Sequence, residues 1–257
     1  MTLRREVVLG GLLTILTASS EVCCQPLFPA PRLRGCMIPD DLAERFFASS
    51  SHQQTFEKGD EPMPGGSGDR EFDFALAQTL VKIGAVLDVL PGFAFYDDGE
   101  SPAAKAVRKS PVAKAHGAVL FGLRLLRRTR IELEHPEVAV TAVCAHEFGH
   151  ILQYRYDIHK TLIEGQAQPT VKRVELHADF LAGYFAGIRK LEKPDFPAAI
   201  FPVKLRSMGD NDFNDPQHHG TPDERAAAAV QGLKVAYQER RKLLDALRSG
   251  IRYVSSL

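Results

Sequence analysis

Pro136-Glu137-Val138-Ala139-Val140-Thr141-Ala142-Val143-Cys144-Ala145-His146-Glu147-Phe148-Gly149-His150 is the stretch on which the fold of this chain turns. A proline suits the first position of a helix, where its missing N–H has no partner in any case. The residues after it are apolar on nearly every side, and a helix of that kind is buried. Its far end carries H-E-x-x-H. Residues four apart sit one above the other on a helix, with azimuths about 40° apart. His146 and His150 can therefore share one tetrahedral Zn²⁺, and Glu147 between them can serve as general base. A lone histidine in such surroundings is usually a hydrogen-bonded core residue. Three polar groups in one buried turn, one of them a glutamate, are costly without a task. Gly149 leaves room for another backbone or a substrate to come close. Cys144, on another side of this helix, reads as a small buried hydrophobe.

A catalytic zinc site takes three protein ligands and keeps one position open. The H-x-x-G-x-x-H continuation that would supply a third histidine is absent, because Gln153 and Tyr156 stand at the glycine and histidine positions. Two candidates remain in Glu175-Leu176-His177-Ala178-Asp179. Glu175 and His177 are two residues apart, so only one of them can face the site. Glu175 is preferred, because Asp179 lies four residues on along the same helical face. There it can accept the free N–H of a ligating imidazole and fix its tautomer.

Outward from these motifs the chain reads as mainly α with a small β-sheet, an α+β class. Thr170 can cap a helix running to about Leu191, with Val174, Ala178, Leu181, Phe185 and Ile188 at helical spacing. Thr221-Pro222-Asp223-Glu224 is a capping box that starts a third long helix, expected to reach about Arg248. Upstream, Phe72 to Leu90 has amphipathic helical spacing and ends at Pro91-Gly92. Phe93 to Tyr96 is expected as a short strand, Ser101 to Ser110 as a polar loop, and Gly117 to Leu126 as a strand with glycines at bends.

At the N-terminus Arg4-Arg5 precede the apolar run Val7 to Ala18 and the small residues Ala18-Ser19-Ser20. That is the layout of a signal peptide, and the run is shorter than the ~20 residues a membrane-spanning helix needs. The paired arginines resemble a twin-arginine signal. Residues 1–20 are therefore expected to direct export to the periplasm or the exterior, with no transmembrane segment after signal removal. Residues 21–70 read as a linker and flexible loop, from Pro26, Pro29, Pro31, Pro39 and Gly65-Gly66-Ser67-Gly68, with a short helical piece at Asp41–Ala48. The packed domain is expected over 71–250. In an oxidising compartment Cys23 or Cys24 can pair with Cys36; the odd thiol leaves the connectivity open. A formal net charge of zero argues against general attraction to nucleic acid or anionic lipid. The local cluster Arg124, Arg127, Arg128 and Arg130 reads as a solvated face.

His146-Glu147-x-x-His150, then Glu175-x-x-Ala178-Asp179, then His219 and Arg225 resemble the gluzincin metallopeptidases. The likeness is strongest to soluble relatives of the CAAX prenyl endopeptidase and heat-shock zinc protease group, and it covers roughly Gly117 to Arg225. In that group one helix carries H-E-x-x-H, a second carries E-x-x-A-D, and a later H-P-x-x-x-x-R precedes another helix. Here the His219-to-Arg225 spacing is kept, with Gly220 in place of the proline. The resemblance implies a zincin-like fold and Zn²⁺ held by His146, His150 and Glu175, with Glu147 as base and Asp179 behind the ligands. It also implies an edge strand beside the metal, for which Gly117–Leu123 is the candidate. His219 becomes the candidate oxyanion donor, with His218 and Tyr154 as rivals. Arg225 would orient the His219 loop or pair with an acid near the metal. The implied activity is that of a zinc metalloendopeptidase on a peptide or protein substrate. Many members carry transmembrane helices that this chain lacks, so their substrates do not carry over. Two other functions stay open. One is a non-catalytic zinc-binding or interaction protein whose fourth ligand is His177 or His219. The other is a zinc amidase acting on a non-peptide substrate such as a cell-wall fragment.

Overall fold

The computed structural model describes residues 36–257 apart from 133, 165, 167–169 and 216. The expected signal segment 1–20, Cys23 and Cys24 lie outside the described residues. Along the chain run β1 (Met37–Ile38), α1 (Ala43–Ala48), α2 (Arg70–Leu87), β2 (Gly92–Tyr96), β3 (Ala104–Val107), β4 (Ala118–Gly122), α3 (Leu123–Glu132), α4 (Pro136–Arg155), α5 (Ile158–Glu164), α6 (Lys172–Glu192), α7 (Ile200–Arg206), α8 (Pro222–Tyr237) and α9 (Leu243–Ser255). Helices dominate and the strands form one small mixed sheet, an α+β arrangement. None of the described helices is long and apolar enough to cross a membrane.

The strand order is β1-β3-β4-β2. β3 and β4 are antiparallel, while β1 on β3 and β2 on β4 are parallel. Alternation divides the side chains between two cores. Phe93, Phe95, Ala104, Ala106, Val119 and Phe121 face the main core shared with the helices. Ala94, Tyr96, Val107, Ala118 and Leu120 face a smaller cluster with Ile38, Leu42 and Ala43, closed over by Phe46 and Phe47. Burial on both faces explains why β2 and β4 are unbroken apolar runs with no polar alternation.

Residues 36–70, part of the expected linker and loop, pack with the domain. β1 lies on the outer edge of β3, and residues 50–54 lie along the outer edge of β2. There Phe93 N donates to Gln54 O at 2.8 Å and Ser51 N to Phe95 O at 2.8 Å. Phe56 reaches the main core. One stretch of chain thus covers the outer side of β3 and part of the outer side of β2, which leaves fewer pairing groups exposed.

Four local expectations are corrected. The polar stretch Ser101–Ser110 contains β3, because pairing with neighbours on both sides outweighs weak strand propensity. Gly117–Leu126 is half strand, half helix: the Asp98 carboxylate accepts from Arg124 N at 2.8 Å and Leu125 N at 3.0 Å and caps the first turn of α3. β4, expected as the edge strand beside the metal, is an inner strand between β3 and β2, and the edges of the sheet are β1 and β2. The helix begun by the Thr221 capping box, which is present as expected, ends at Tyr237 instead of Arg248. Gln238-Glu239-Arg240-Arg241-Lys242 offers nothing to bury, and a left-handed Arg240 (φ 56°) turns the chain so that α9 folds back onto α6. At the start of α6 the capping position falls on Val171, while the Thr170 hydroxyl donates to Gln166 Oε1 at 3.1 Å.

α4 runs through the middle of the molecule, touching β3 and β4 on one side and α2, α3, α6 and α7 elsewhere. Every residue from Ala139 to Tyr154 is buried. α6 and α8 share the most extensive helix pairing. A Cβ on Gly183 would overlap the Ala229 carbonyl, and one on Gly232 would overlap the Phe180 carbonyl, so only glycine lets these two backbones touch.

Candidate metal centre

α4 and α6 cross closely at Gly149, where a Cβ would stand 3.2 Å from the Ala178 Cα. The backbone expected to approach Gly149 is therefore that of α6. This crossing carries Glu175 over the two imidazoles. His146 Nε2 and His150 Nε2 are 3.1 Å apart, and Glu175 Oε2 is 3.2 Å from the first and 3.5 Å from the second. For metal–ligand bonds of 2.0–2.1 Å, two corners of a tetrahedron are separated by about 3.3 Å. The three atoms thus outline one face of a tetrahedral site. The Cys36 sulfur lies close to that face: single ligand atoms of Cys36, His146, His150 and Glu175 all lie within 4.8 Å of one another, and all four residues are buried. This group can hold a metal ion.

Partners behind the ligands set their orientation. His146 Nδ1 is 2.8 Å from Asp179 Oδ1, and a carboxylate can only accept, so the proton sits on Nδ1 and Nε2 faces the cluster. Asp179 is gripped by Arg225, whose Nε and Nη2 donate to its two oxygens at 2.8 and 2.9 Å. Arg225 Nη1 donates to Met208 O at 2.9 Å. His150 Nδ1 donates to Gln153 Oε1 at 2.9 Å, and Gln153 Nε2 donates to Val174 O at 2.8 Å. The second oxygen of Glu175 accepts the Cys36 backbone N–H at 2.9 Å. Each ligand atom is aimed by a bond on its far side, the arrangement that raises metal affinity.

Without a cation the cluster is held together by charge. Burial opposes an imidazolium at His146, yet Asp179, with Cys36 and Glu175, outweighs it and holds the ring well above its ordinary range. His150 is pushed up to about 10, against burial, chiefly by Glu175. Glu175 is held well below the usual carboxylate range against burial by His150 and His146. Asp179 is held low in the same way by Arg225 and His146. A cation entering here replaces ring protons.

Glu147 differs from all of these. It is fully buried, and neither carboxylate oxygen has a hydrogen-bond partner. Burial is the leading influence and pushes its pKa up, with the two histidines and Lys105 acting the other way. An orphaned buried carboxylate beside the ligand histidines is costly unless its partner arrives with the metal's other ligand.

The remaining residues singled out from the sequence lie as follows. His177 points away from the cluster, under α9, where a Cβ on Gly250 would meet its ring at 3.0 Å, and Gln153 Nε2 lies 3.1 Å from its Nδ1. Burial lowers its pKa to about 4. His219 stands beside the cluster and outside it. Asp210 Oδ2 accepts its backbone N–H at 2.9 Å and lies 3.2 Å from its Nδ1. His218 is also held by Asp210 and packs on Phe213. Tyr154 is buried, and its hydroxyl feels the carboxylates of Asp40, Glu147 and Glu175. Arg225 pairs with an acid and leaves the His219 loop to Asp210. Gly220 has φ +97°, which proline cannot adopt, so the departure from the H-P-x-x-x-x-R pattern follows from the backbone.

Cys36 is the member of the group that sequence reasoning missed. Expected as one half of a disulfide with Cys23 or Cys24, it is a free buried thiol among the ligands. No local spacing links it to His146, and only the sheet edge brings it there. Comparison with family models, with curated proteins and with solved structures found no match to this chain.

Proposed function

We propose that the cluster holds Zn²⁺ and that the protein is a zinc-dependent metallopeptidase of gluzincin type, exported to act on peptide or protein substrates. A mixed set of imidazole, carboxylate and thiol at tetrahedral spacing suits zinc over magnesium or calcium, which take oxygen ligands at higher coordination number. The observation that carries the peptidase reading is Glu147, buried and unpaired next to both histidines.

Bound zinc supplies an acidified water, with a pKa of about 7, and a polarised substrate carbonyl. The protein's own part is proton handling and orientation. The Glu147 carboxylate takes the proton from the attacking water and returns it to the leaving amine. Its raised pKa suits a group that must act first as base and then as acid. Asp179 and Gln153 keep both imidazole Nε2 atoms turned toward the cation. His219 and Tyr154 are the candidates for the donor to the developing oxyanion, an interaction worth about 2.7–4 kcal/mol in other hydrolases.

One observation favours a second reading, a closed structural zinc site. Cys36 brings the protein ligands to four, and closed four-ligand sites are structural. The two readings separate in Cys36→Ala, which removes the fourth protein ligand. That variant should bind zinc and hydrolyse an unbiased peptide library. Adding Glu147→Gln should leave zinc bound and abolish cleavage. Zinc retained with no cleavage in Cys36→Ala would assign the site to structure.

A further inference from the structure

We infer that the segment Cys36–Ile38 is a built-in blocker: β1 occupies the edge of β3 that an extended substrate would use, and the Cys36 thiolate is the exchangeable fourth ligand of the metal. This rests on the metal site proposed above and deepens the peptidase reading.

Peptidase substrates bind in extended form by adding a strand to a sheet edge, where backbone pairing supplies affinity. Without β1, β3 would be the edge of the sheet, and α4, the helix of the two histidines, packs directly on it. Its edge is taken by two residues of the chain itself, in the register Met37↔Ala106 and Ile38↔Val107. Just before that pairing the chain delivers Cys36 to the metal cluster. The Cys36 backbone N–H binds the ligand Glu175 at 2.9 Å, and its carbonyl accepts the Ala106 N–H at 2.9 Å. The blocker thus behaves as a bound peptide in every respect but one. Its carbonyl is turned to β3, and its sulfur is offered to the cation, so no scissile bond is presented to Glu147. Ile38, 1% exposed, anchors the strand in the cluster beneath the sheet. Opening the centre requires that Cys36 and this two-residue strand leave β3; His146 and His150 are held from elsewhere, and Glu175 gives up only the Cys36 N–H.

The test uses the full chain loaded with Co²⁺, whose absorption reports its ligands, with azide as a small exogenous ligand. The wild-type protein should show thiolate-to-cobalt charge transfer and should leave its spectrum unchanged on adding azide. Cys36→Ala should keep one cobalt per chain, lose the charge-transfer band and respond to azide. Ile38→Asp, which leaves the thiol intact and attacks the strand's anchor, should also admit azide. Absence of the thiolate band in wild type, a measurement that depends on no variant folding, would overturn the inference, as would an azide response in wild type equal to that of Cys36→Ala. An Ile38→Asp protein that keeps the band and ignores azide would overturn the part played by β1. These spectra are independent of hydrolysis. If they come out as expected and Cys36→Ala cleaves nothing, the peptidase reading falls and the blocking ligand stands.

Discussion

The two sides of the metal cluster are built to different standards. On the helical side, both histidines have an orienting partner, and the partners have partners: His146 leads to Asp179, then Arg225, then the Met208 carbonyl, and His150 leads to Gln153, then the Val174 carbonyl. On the strand side, Cys36 immediately precedes a two-residue strand and is placed by two backbone hydrogen bonds. Deep networks fix geometry, and shallow ones allow exchange. On the proposed metal site, the difference would make the histidines the permanent ligands and the thiol the one that can leave.

The comparison breaks most visibly at Arg225. It is 1% exposed and pairs with a fully buried Asp179. Arg225→Met leaves that carboxylate buried without its cation, and the expected loss is about 3–5 kcal/mol of folding free energy by denaturant unfolding. A loss under 1 kcal/mol would show that the helical side is not preorganised by this pair. Asp179→Asn is the next largest change. It should lower zinc affinity by about 10–100-fold in chelator competition and should exceed the loss from Cys36→Ala. The opposite ranking would erase the distinction between the two sides.

The smallest expected effect is on pH dependence. A group whose pKa is raised on folding stabilises the native state below its unfolded value and ceases to do so as pH climbs through the folded value. The unfolded imidazole value is about 6.5, and His150 is raised to about 10 when folded. The chelated protein should therefore lose thermal stability as pH rises from the first value toward the second. The metal-loaded protein, whose imidazoles carry no Nε2 proton, should not. Parallel curves for the two forms would show that the histidines are not charged in the metal-free cluster.

What could be read from the chain follows the range of the forces involved. The spacing of His146 to His150 and of Glu175 to Asp179 is a property of single helices, so their shared faces were legible from residue numbers alone. The capping box at Thr221 was legible for the same reason. Asp179 meeting His146 required only that two apolar helices cross with these faces inward, and Gly149 hinted at how closely. Cys36 was illegible because nothing local ties it to α4, and its nearness to Cys23 and Cys24 suggested oxidation. β3 was hidden because Ala104–Val107 has little strand propensity of its own and is a strand only between two neighbours. The break before α9 was missed because the helical pattern resumes at Leu243 after one polar turn, and tertiary packing decides where it goes.

The bare contact between α6 and α8 has a mechanical consequence. With Gly183 against Ala229 and Gly232 against Phe180, the two backbones mesh with no side-chain cushion between them. Glu175 and Asp179 ride on one of these helices and Arg225 on the other, so a carboxylate ligand and its guanidinium clamp belong to a single stiff plate. The histidines ride on a second body, and the seam between the two runs through Gly149 and Ala178. Widening or narrowing the cation's seat is then a matter of one joint, and a side chain added at residue 149 is the wedge that would set its gap.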